Sequence, residues 1–135
     1  MKYRKAKKAD LGQVVRVAST AFEEYLFLKV IKDLVRDPKQ YPAFVEAMMR
    51  ILVKVFLKHH ICLVAEKNDE IYAVALLQKG PIPFRAYLLN GGFGLLKFIS
   101  LKNMLSYFKF MEDTDKELEQ NVDFDWYLML LAVAP

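Results

Sequence analysis

The chain has 135 residues and a formal net charge of +4; 55% of its residues are hydrophobic and 13% are aromatic. This length suits one domain with a real core, and the composition excludes a disordered chain. The excess positive charge is concentrated before the first acid, at Lys2, Arg4, Lys5, Lys7 and Lys8. An edge strand guarded by cations explains this cluster better than a nucleic-acid site, because no nucleic-acid-binding pattern accompanies it.

The single cysteine, Cys62, excludes an internal disulfide and indicates a reducing compartment. It lies in the apolar run Ile61-Cys62-Leu63-Val64, where we expect a packed side chain rather than a nucleophile. The N-terminus is charged, unlike a signal peptide, and no apolar run reaches the roughly 18 residues of a membrane span. We therefore expect a soluble, cytoplasmic protein that binds neither membrane nor nucleic acid.

A short strand over residues 2–6 is predicted to lead into a helix. Asp10 and Gln13 form the pattern D-x-x-Q, which predicts a capping box at the start of that helix. Apolar residues then recur at helical spacing along one face, namely Leu11, Val14, Val15, Ala18, Ala21 and Phe22.

Helical spacing continues over residues 23–35, and Pro38 and Pro42 interrupt it. A long helix is predicted over residues 42–58, with a broad apolar stripe of Phe44, Val45, Met48, Met49, Leu52, Val55 and Phe56. The pair His59-His60 follows. No third histidine or cysteine gives a zinc spacing, so we interpret the pair as a helix C-terminal pair favoured by the helix dipole and predict no metal site.

Two strands are predicted over residues 61–66 and 71–78, joined by Lys67-Asn68-Asp69-Glu70 in a hairpin that is not of the tightest kind. Residues 84–120 predict a helical insertion with a break at Gly91-Gly92-Phe93-Gly94. This glycine cluster matches neither a dinucleotide-binding nor a phosphate-binding loop, so we interpret it as a helix break.

The last stretch, residues 126–133, carries no charge and is rich in aromatic and branched side chains. Apolar runs of this length are typical of a strand buried on both faces. Such a strand needs neighbours on both of its edges.

Three features of the chain resemble GNAT acetyltransferases, in the subgroup of puromycin-type N-acetyltransferases. Trp126-Tyr127-Leu128, followed by Leu131, Val133 and Pro135, resembles the pattern W-Y-L-x-x-L-x-V-x-P of that superfamily's fourth strand. The string Arg4-x-Ala6-x-x-x-Asp10 resembles its opening strand and first helix. The helical insertion with a Gly-Gly break is similar to that of the puromycin-type subgroup.

The resemblance implies an α+β fold, a partial acyl-CoA N-acyltransferase fold with a mainly antiparallel sheet. Its element order is strand, two helices, hairpin, helical insertion and terminal strand, in one domain over residues 1–135 with the insertion at about residues 84–120. In the superfamily the fourth strand leads into a Q/R-x-x-G-x-G/A loop that binds the coenzyme pyrophosphate. The sequence does not continue past Pro135 into such a loop, so we expect a truncated, N-terminal portion of the domain with weak acetyl-CoA affinity.

The activity implied by the resemblance is transfer of acetyl from acetyl-CoA to a small-molecule or peptide amine. The amine attacks the thioester directly, so no enzyme nucleophile is needed. The superfamily's fourth strand bulges to receive the pantetheine arm, which assigns acetyl-CoA binding to the backbone of Leu131, Ala132 and Val133.

The resemblance also suggests residues for the acceptor and for proton transfer. Glu23, Glu24 and Tyr25 end the first helix, where the superfamily places acceptor-binding residues, although solvated helix-end carboxylates explain the two acids better. Asp125 and Tyr127 are the catalytic candidates. Asp125 would hold the substrate ammonium or orient a water, and the alternatives are a turn aspartate and a buried tyrosine.

Two other functions stay open on the residues alone. A non-catalytic interaction module would self-associate as a homo-oligomer through its apolar terminal strand. A small-ligand sensor would use an apolar pocket near the Phe-rich and Met-rich residues 93–111, which ordinary core packing explains as well.

Overall fold

A computed structural model describes residues 1–22, 35–80, 82–121 and 127–134 of the chain. The helical spacing predicted over residues 23–34 lies outside the described residues. So do four of the candidate site residues, Glu23, Glu24, Tyr25 and Asp125.

The described residues form an α+β fold with a four-stranded antiparallel sheet and several helices, as predicted. The strands are β1 (Lys2–Lys5), β2 (Ile61–Lys67), β3 (Glu70–Gln78) and β4 (Tyr127–Val133), in the spatial order β1-β2-β3-β4. The α-helices are α1 (Leu11–Phe22), α2 (Tyr41–His59), α3 (Phe84–Leu89) and α4 (Leu101–Asn121). Short 3-10 helices cover Lys8–Asp10, Pro38–Gln40 and Gly92–Lys97. Each described helix is too short or too polar to cross a lipid bilayer.

Helix α1 begins where the D-x-x-Q pattern predicts, but the two polar residues bond elsewhere. The Asp10 carboxylate accepts a hydrogen bond from the Lys7 N–H at 2.7 Å. The Gln13 Oε1 accepts one from the Ile71 N–H at 3.0 Å, and Ile71 belongs to β3. The predicted capping box is therefore wrong, because Gln13 fastens α1 to the sheet instead of closing its own helix.

Arg4 on β1 joins three segments of the chain. Its Nε and Nη2 donate to the Glu66 carboxylate on β2, each at 3.0 Å. Its Nη1 and Nη2 donate to Asp10 at 2.7 and 3.1 Å. Both contacts have the two-pronged geometry that makes guanidinium–carboxylate pairs specific. These hydrogen bonds hold the pKa of both carboxyls below their ordinary values.

The β2–β3 hairpin is tighter than predicted. Lys67 pairs directly with Glu70, which leaves only Asn68 and Asp69 in the loop. Both loop residues have left-handed backbone angles, with φ of 55° and 64°. Two consecutive residues of this kind form the two-residue turn whose twist matches the flanking strands.

The core lies between one face of the sheet and the helices. Helix α1 packs on β3 and β4, α2 packs on β2 and β3, and the helical insertion packs on α2. All seven residues of the apolar stripe predicted for α2 are buried, so Met48 and Met49 are core side chains. Apolar periodicity located this face correctly because a helix buries one continuous stripe.

The glycine cluster of the insertion interrupts the helix, as predicted. Gly91 has φ +110°, a backbone conformation that other residues rarely adopt. A Cβ on Gly92 would lie 2.8 Å from the Tyr87 carbonyl oxygen, so only glycine allows this close approach. Just beneath the break, the ring of Tyr87 stacks on that of Phe108 with centroids 5.1 Å apart.

Candidate functional site

Strand β4 is buried on one face only, so the prediction of burial on both faces is wrong. Leu130 and Ala132 are 6% and 1% exposed and face the helices. Leu131 and Val133 are 57% and 61% exposed and face the opposite side. Successive strand side chains point to opposite faces, and the described helices that pack on β4 lie on one of them.

The exposed side of β4 continues across the sheet as an apolar surface. Leu131 pairs with Ala75, which pairs with Leu63, and Val133 pairs with Ala73. The β2 and β3 members of these rows are half-buried, while the two β4 members are the most exposed. We call Leu131, Val133, Ala73, Ala75 and Leu63 the open face.

A β-bulge interrupts β4. Leu76 pairs with Leu130, and the next residue of β3, Leu77, pairs with Leu128, so Met129 is the extra residue. A bulge leaves one residue out of the ladder and re-aims the side chains on either side of it. Here it places Leu128 among the exposed residues.

The backbone groups of β4 point alternately toward β3 and away from it. The Ala134 N–H donates to the Tyr72 carbonyl of β3 at 2.7 Å. Ala132 is two residues away, so its N–H and C=O also point toward β3. The N–H and C=O groups of Leu131 and Val133 consequently point to the other edge, where the order of the described strands places no neighbour. We call these four groups the free edge of β4.

Of the predicted site residues, the structure therefore brings together Leu131 and Val133 on the free edge, while Ala132 bonds toward β3. Tyr127 begins β4, opposite Gln78, and only its backbone is described.

Gln78 is a buried amide that sequence reasoning missed. Its Nε2 donates to the Gly80 carbonyl at 2.9 Å, and its Oε1 has no hydrogen-bond partner among the described residues.

The two histidines lie at the C-terminal end of α2, as predicted, with His59 its last residue and His60 directly after it. His60 Nδ1 accepts a hydrogen bond from the Lys79 N–H at 3.1 Å, and the ring lies 5.1 Å from that of Phe56. Burial, followed by the charge of His59, lowers the pKa of His60 below its ordinary value. His60 is therefore a neutral structural side chain that connects the end of α2 to the end of β3.

The described residues offer little else for side-chain catalysis. Burial raises the pKa of the Cys62 thiol to about 12, which makes it a packing residue as predicted. Within the described ranges, no three His, Cys, Asp or Glu side chains come close enough together to hold a metal ion.

What the described residues provide at β4 is thus a backbone site beside an apolar face. Such a site leaves almost no side-chain signature, and sequence reasoning reached it only through the pattern of the terminal strand. Comparison with models of protein families and with curated proteins finds no match for this chain. The geometry of β4 is therefore the main indication of what the chain does.

Proposed function

We propose that the chain is an acetyl-CoA-dependent N-acetyltransferase-like protein of the GNAT type, and that β4 receives the pantetheine arm. The observation that carries this proposal is the bulge at Met129 followed by the free edge at Leu131 and Val133. The antiparallel order of the four strands and the helical insertion before β4 agree with what the resemblance implies.

Pantetheine contains two amides, each with one donor and one acceptor, so it can pair with a strand edge in the manner of another strand. The N–H and C=O groups of Leu131 and Val133 are the proposed partners. Ala132 contributes indirectly, because its hydrogen bonds to β3 hold the strand in place.

The proposed reaction is direct attack of an amine on the thioester carbonyl. A nitrogen–carbon bond forms, the carbon–sulfur bond breaks, and the proton lost by the amine balances the thiolate that leaves. This reaction needs a proton acceptor, a donor to the oxyanion and an acid for the thiolate. Asp125 and Tyr127 remain the proposed side chains for proton transfer and amine binding, and Glu23, Glu24 and Tyr25 the proposed acceptor residues.

The open face affects how tightly this chain alone is expected to bind acetyl-CoA. Leu131 and Val133 leave an uncharged apolar surface uncovered by the described residues, which indicates that another polypeptide segment or chain packs there. We therefore expect weak binding of acetyl-CoA by this chain and tighter binding when the sheet is completed.

Calorimetric titration with acetyl-CoA at millimolar concentration tests the proposal. We expect weak, saturable binding that Val133→Pro abolishes, because proline removes the N–H that points to the free edge. Val133→Ala is the matched control, since it shortens the exposed side chain and keeps the N–H. Absence of binding, or equal binding by the two variants, would contradict the proposal.

The second candidate function is a non-catalytic module that self-associates through β4. It is favoured by one observation: the seven residues of β4 carry no charge, and three of them are exposed leucine or valine. Long, uncharged edges readily pair with another chain.

Sedimentation at tens of micromolar tests this second candidate. We expect an oligomer that Leu131→Lys dissociates, while Tyr3→Lys on the opposite edge of the sheet leaves it intact. A monomer in the unmodified protein counts against self-association.

A further inference from the structure

A cleft of about 650 Å³ lies between the C-terminal turn of α2 and the segment that runs from Ile82 into α3. This is the size of a site for a small molecule. Its accessible apolar wall consists of Pro83, Ala86 and Leu89, while Val55 and Ile82 lie buried behind it. None of its described lining residues belongs to β4, so we treat the cleft as separate from the proposed acetyl-CoA site.

Two cations and no described acid line this cleft. The cations are Lys58 and Arg85. Neither side chain forms an ion pair with a described carboxylate. Uncompensated cations around a concave surface raise the local concentration of anions.

Two further polar groups in the wall have defined orientations. His60 accepts a hydrogen bond at Nδ1 from the Lys79 N–H, so its neutral ring carries the proton on Nε2. Asn90, only 7% exposed, donates from Nδ2 to the Ala86 carbonyl at 2.7 Å, which identifies its other amide atom as Oδ1. That oxygen is buried and has no hydrogen-bond partner among the described residues.

A buried acceptor without a partner destabilises the protein unless a ligand or a bound water donates to it. The cleft thus combines uncompensated cations, an apolar wall and an unsatisfied acceptor in one place. Cations alone would suit any anion, but the apolar wall selects anions with a hydrocarbon or aromatic part.

We propose that this cleft binds a small amphipathic anion, with its carboxylate or phosphate head at Lys58 and Arg85 and its apolar body against Pro83, Ala86 and Leu89. The Asn90 Oδ1 accepts from a hydroxyl of the ligand or from a water bound with it. The site acts independently of the acetyltransferase proposed above.

Nuclear magnetic resonance titration of the uniformly ¹⁵N-labelled chain tests this inference with four hexyl probes. Hexanoate and hexyl phosphate share the anionic head and apolar body, and comparing them separates a carboxylate site from a phosphate site. Hexanol lacks the charge, and hexylammonium reverses it. We expect saturable shifts of the amide signals of His60, Arg85 and Asn90 with the two anions, and affinity at least about tenfold lower for hexanol and hexylammonium.

The double substitution Lys58→Gln, Arg85→Gln is expected to weaken hexanoate and hexyl phosphate binding by about tenfold. The matched control is Lys67→Gln, Lys97→Gln, which removes the same charge at residues outside the described lining and leaves binding unchanged. Equal affinity in the two double variants overturns the proposal. So does equal binding of hexylammonium, or the absence of saturable shifts at millimolar hexanoate and hexyl phosphate.

Discussion

The two edges of the described sheet are built in opposite ways. The β1 edge is a strand of four residues, three of them Lys or Arg, and Arg4 bonds it to Glu66 and Asp10. The β4 edge is a strand of seven uncharged residues whose Leu131 and Val133 are exposed. Short, charged edges discourage pairing with another chain, whereas long apolar edges invite it. The difference indicates that charge protects the β1 edge against pairing, whereas the backbone edge of β4 is open to pairing.

The same contrast holds between the two faces of β4. Leu130 and Leu131 are adjacent leucines on opposite faces. Leu130 lies in the core and Leu131 lies on the open face. Substituting them one at a time therefore separates the folding role of the strand from its binding role.

The largest effect is expected from Leu130→Ala. Removal of this buried side chain leaves a cavity between β4 and the helices, and we expect the free energy of unfolding to fall by about 2–5 kcal/mol. Leu131→Ala on the open face should change it by less than about 0.5 kcal/mol. Urea unfolding followed by circular dichroism measures both values, and similar losses would contradict the assignment of the two faces.

A smaller effect is expected from Arg4→Met, which removes the guanidinium that bonds β1 to Glu66 and Asp10. Because Arg4 lowers the pKa of Asp10 and Glu66, these carboxyls stabilise the fold at neutral pH, and that contribution is lost as pH falls below their ordinary values of 3.8 and 4.5. In the variant both pKa values should rise, and thermal stability should depend less on pH in the acid range.

Carbon-detected titration of the carboxyl groups and thermal unfolding between neutral and acid pH measure these two changes. Lys5→Met is the matched control, because Lys5 lies on the same strand and forms neither of these hydrogen bonds. Unchanged pKa values of Asp10 and Glu66 in Arg4→Met would show that Arg4 does not form these hydrogen bonds in solution.

The smallest effect is expected from His60, which lies away from both edges. Its pKa is lowered in the folded protein, so the folded state binds protons less readily than the unfolded state below pH 6.5. Stability should therefore decline as pH falls from 6.5 toward the folded-state pKa. His60→Asn keeps an acceptor for the Lys79 N–H and does not titrate, so it should remove this decline, as thermal unfolding at a series of pH values would show.

Most of the described helices and strands could be predicted from the sequence, because their signals come from residues close together in the chain. The apolar stripe over residues 42–58 predicted α2 to within a residue at each end, because helical periodicity is a property of neighbouring positions. Asn68 and Asp69 indicated the hairpin for the same reason. The pattern of residues 126–133 indicated a strand, and β4 begins at Tyr127.

Long-range contacts decided the rest. Gln13 was expected to cap its own helix, but Ile71, 58 residues further on, donates to it. His60 was assigned to the helix dipole, whereas packing against Phe56 and β3 keeps it neutral. The cleft beside Asn90 gave no signal in the sequence, since its walls come from segments about thirty residues apart.

The sequence by itself indicated that residues 127–133 form an apolar strand, because an uncharged apolar run this short is typical of a strand rather than of a helix. Only the tertiary structure decided which side of that strand is covered and which of its peptide groups point outward. Those properties depend on the register with β3 and on the positions of α1 and α2, and both arise when distant parts of the chain pack together.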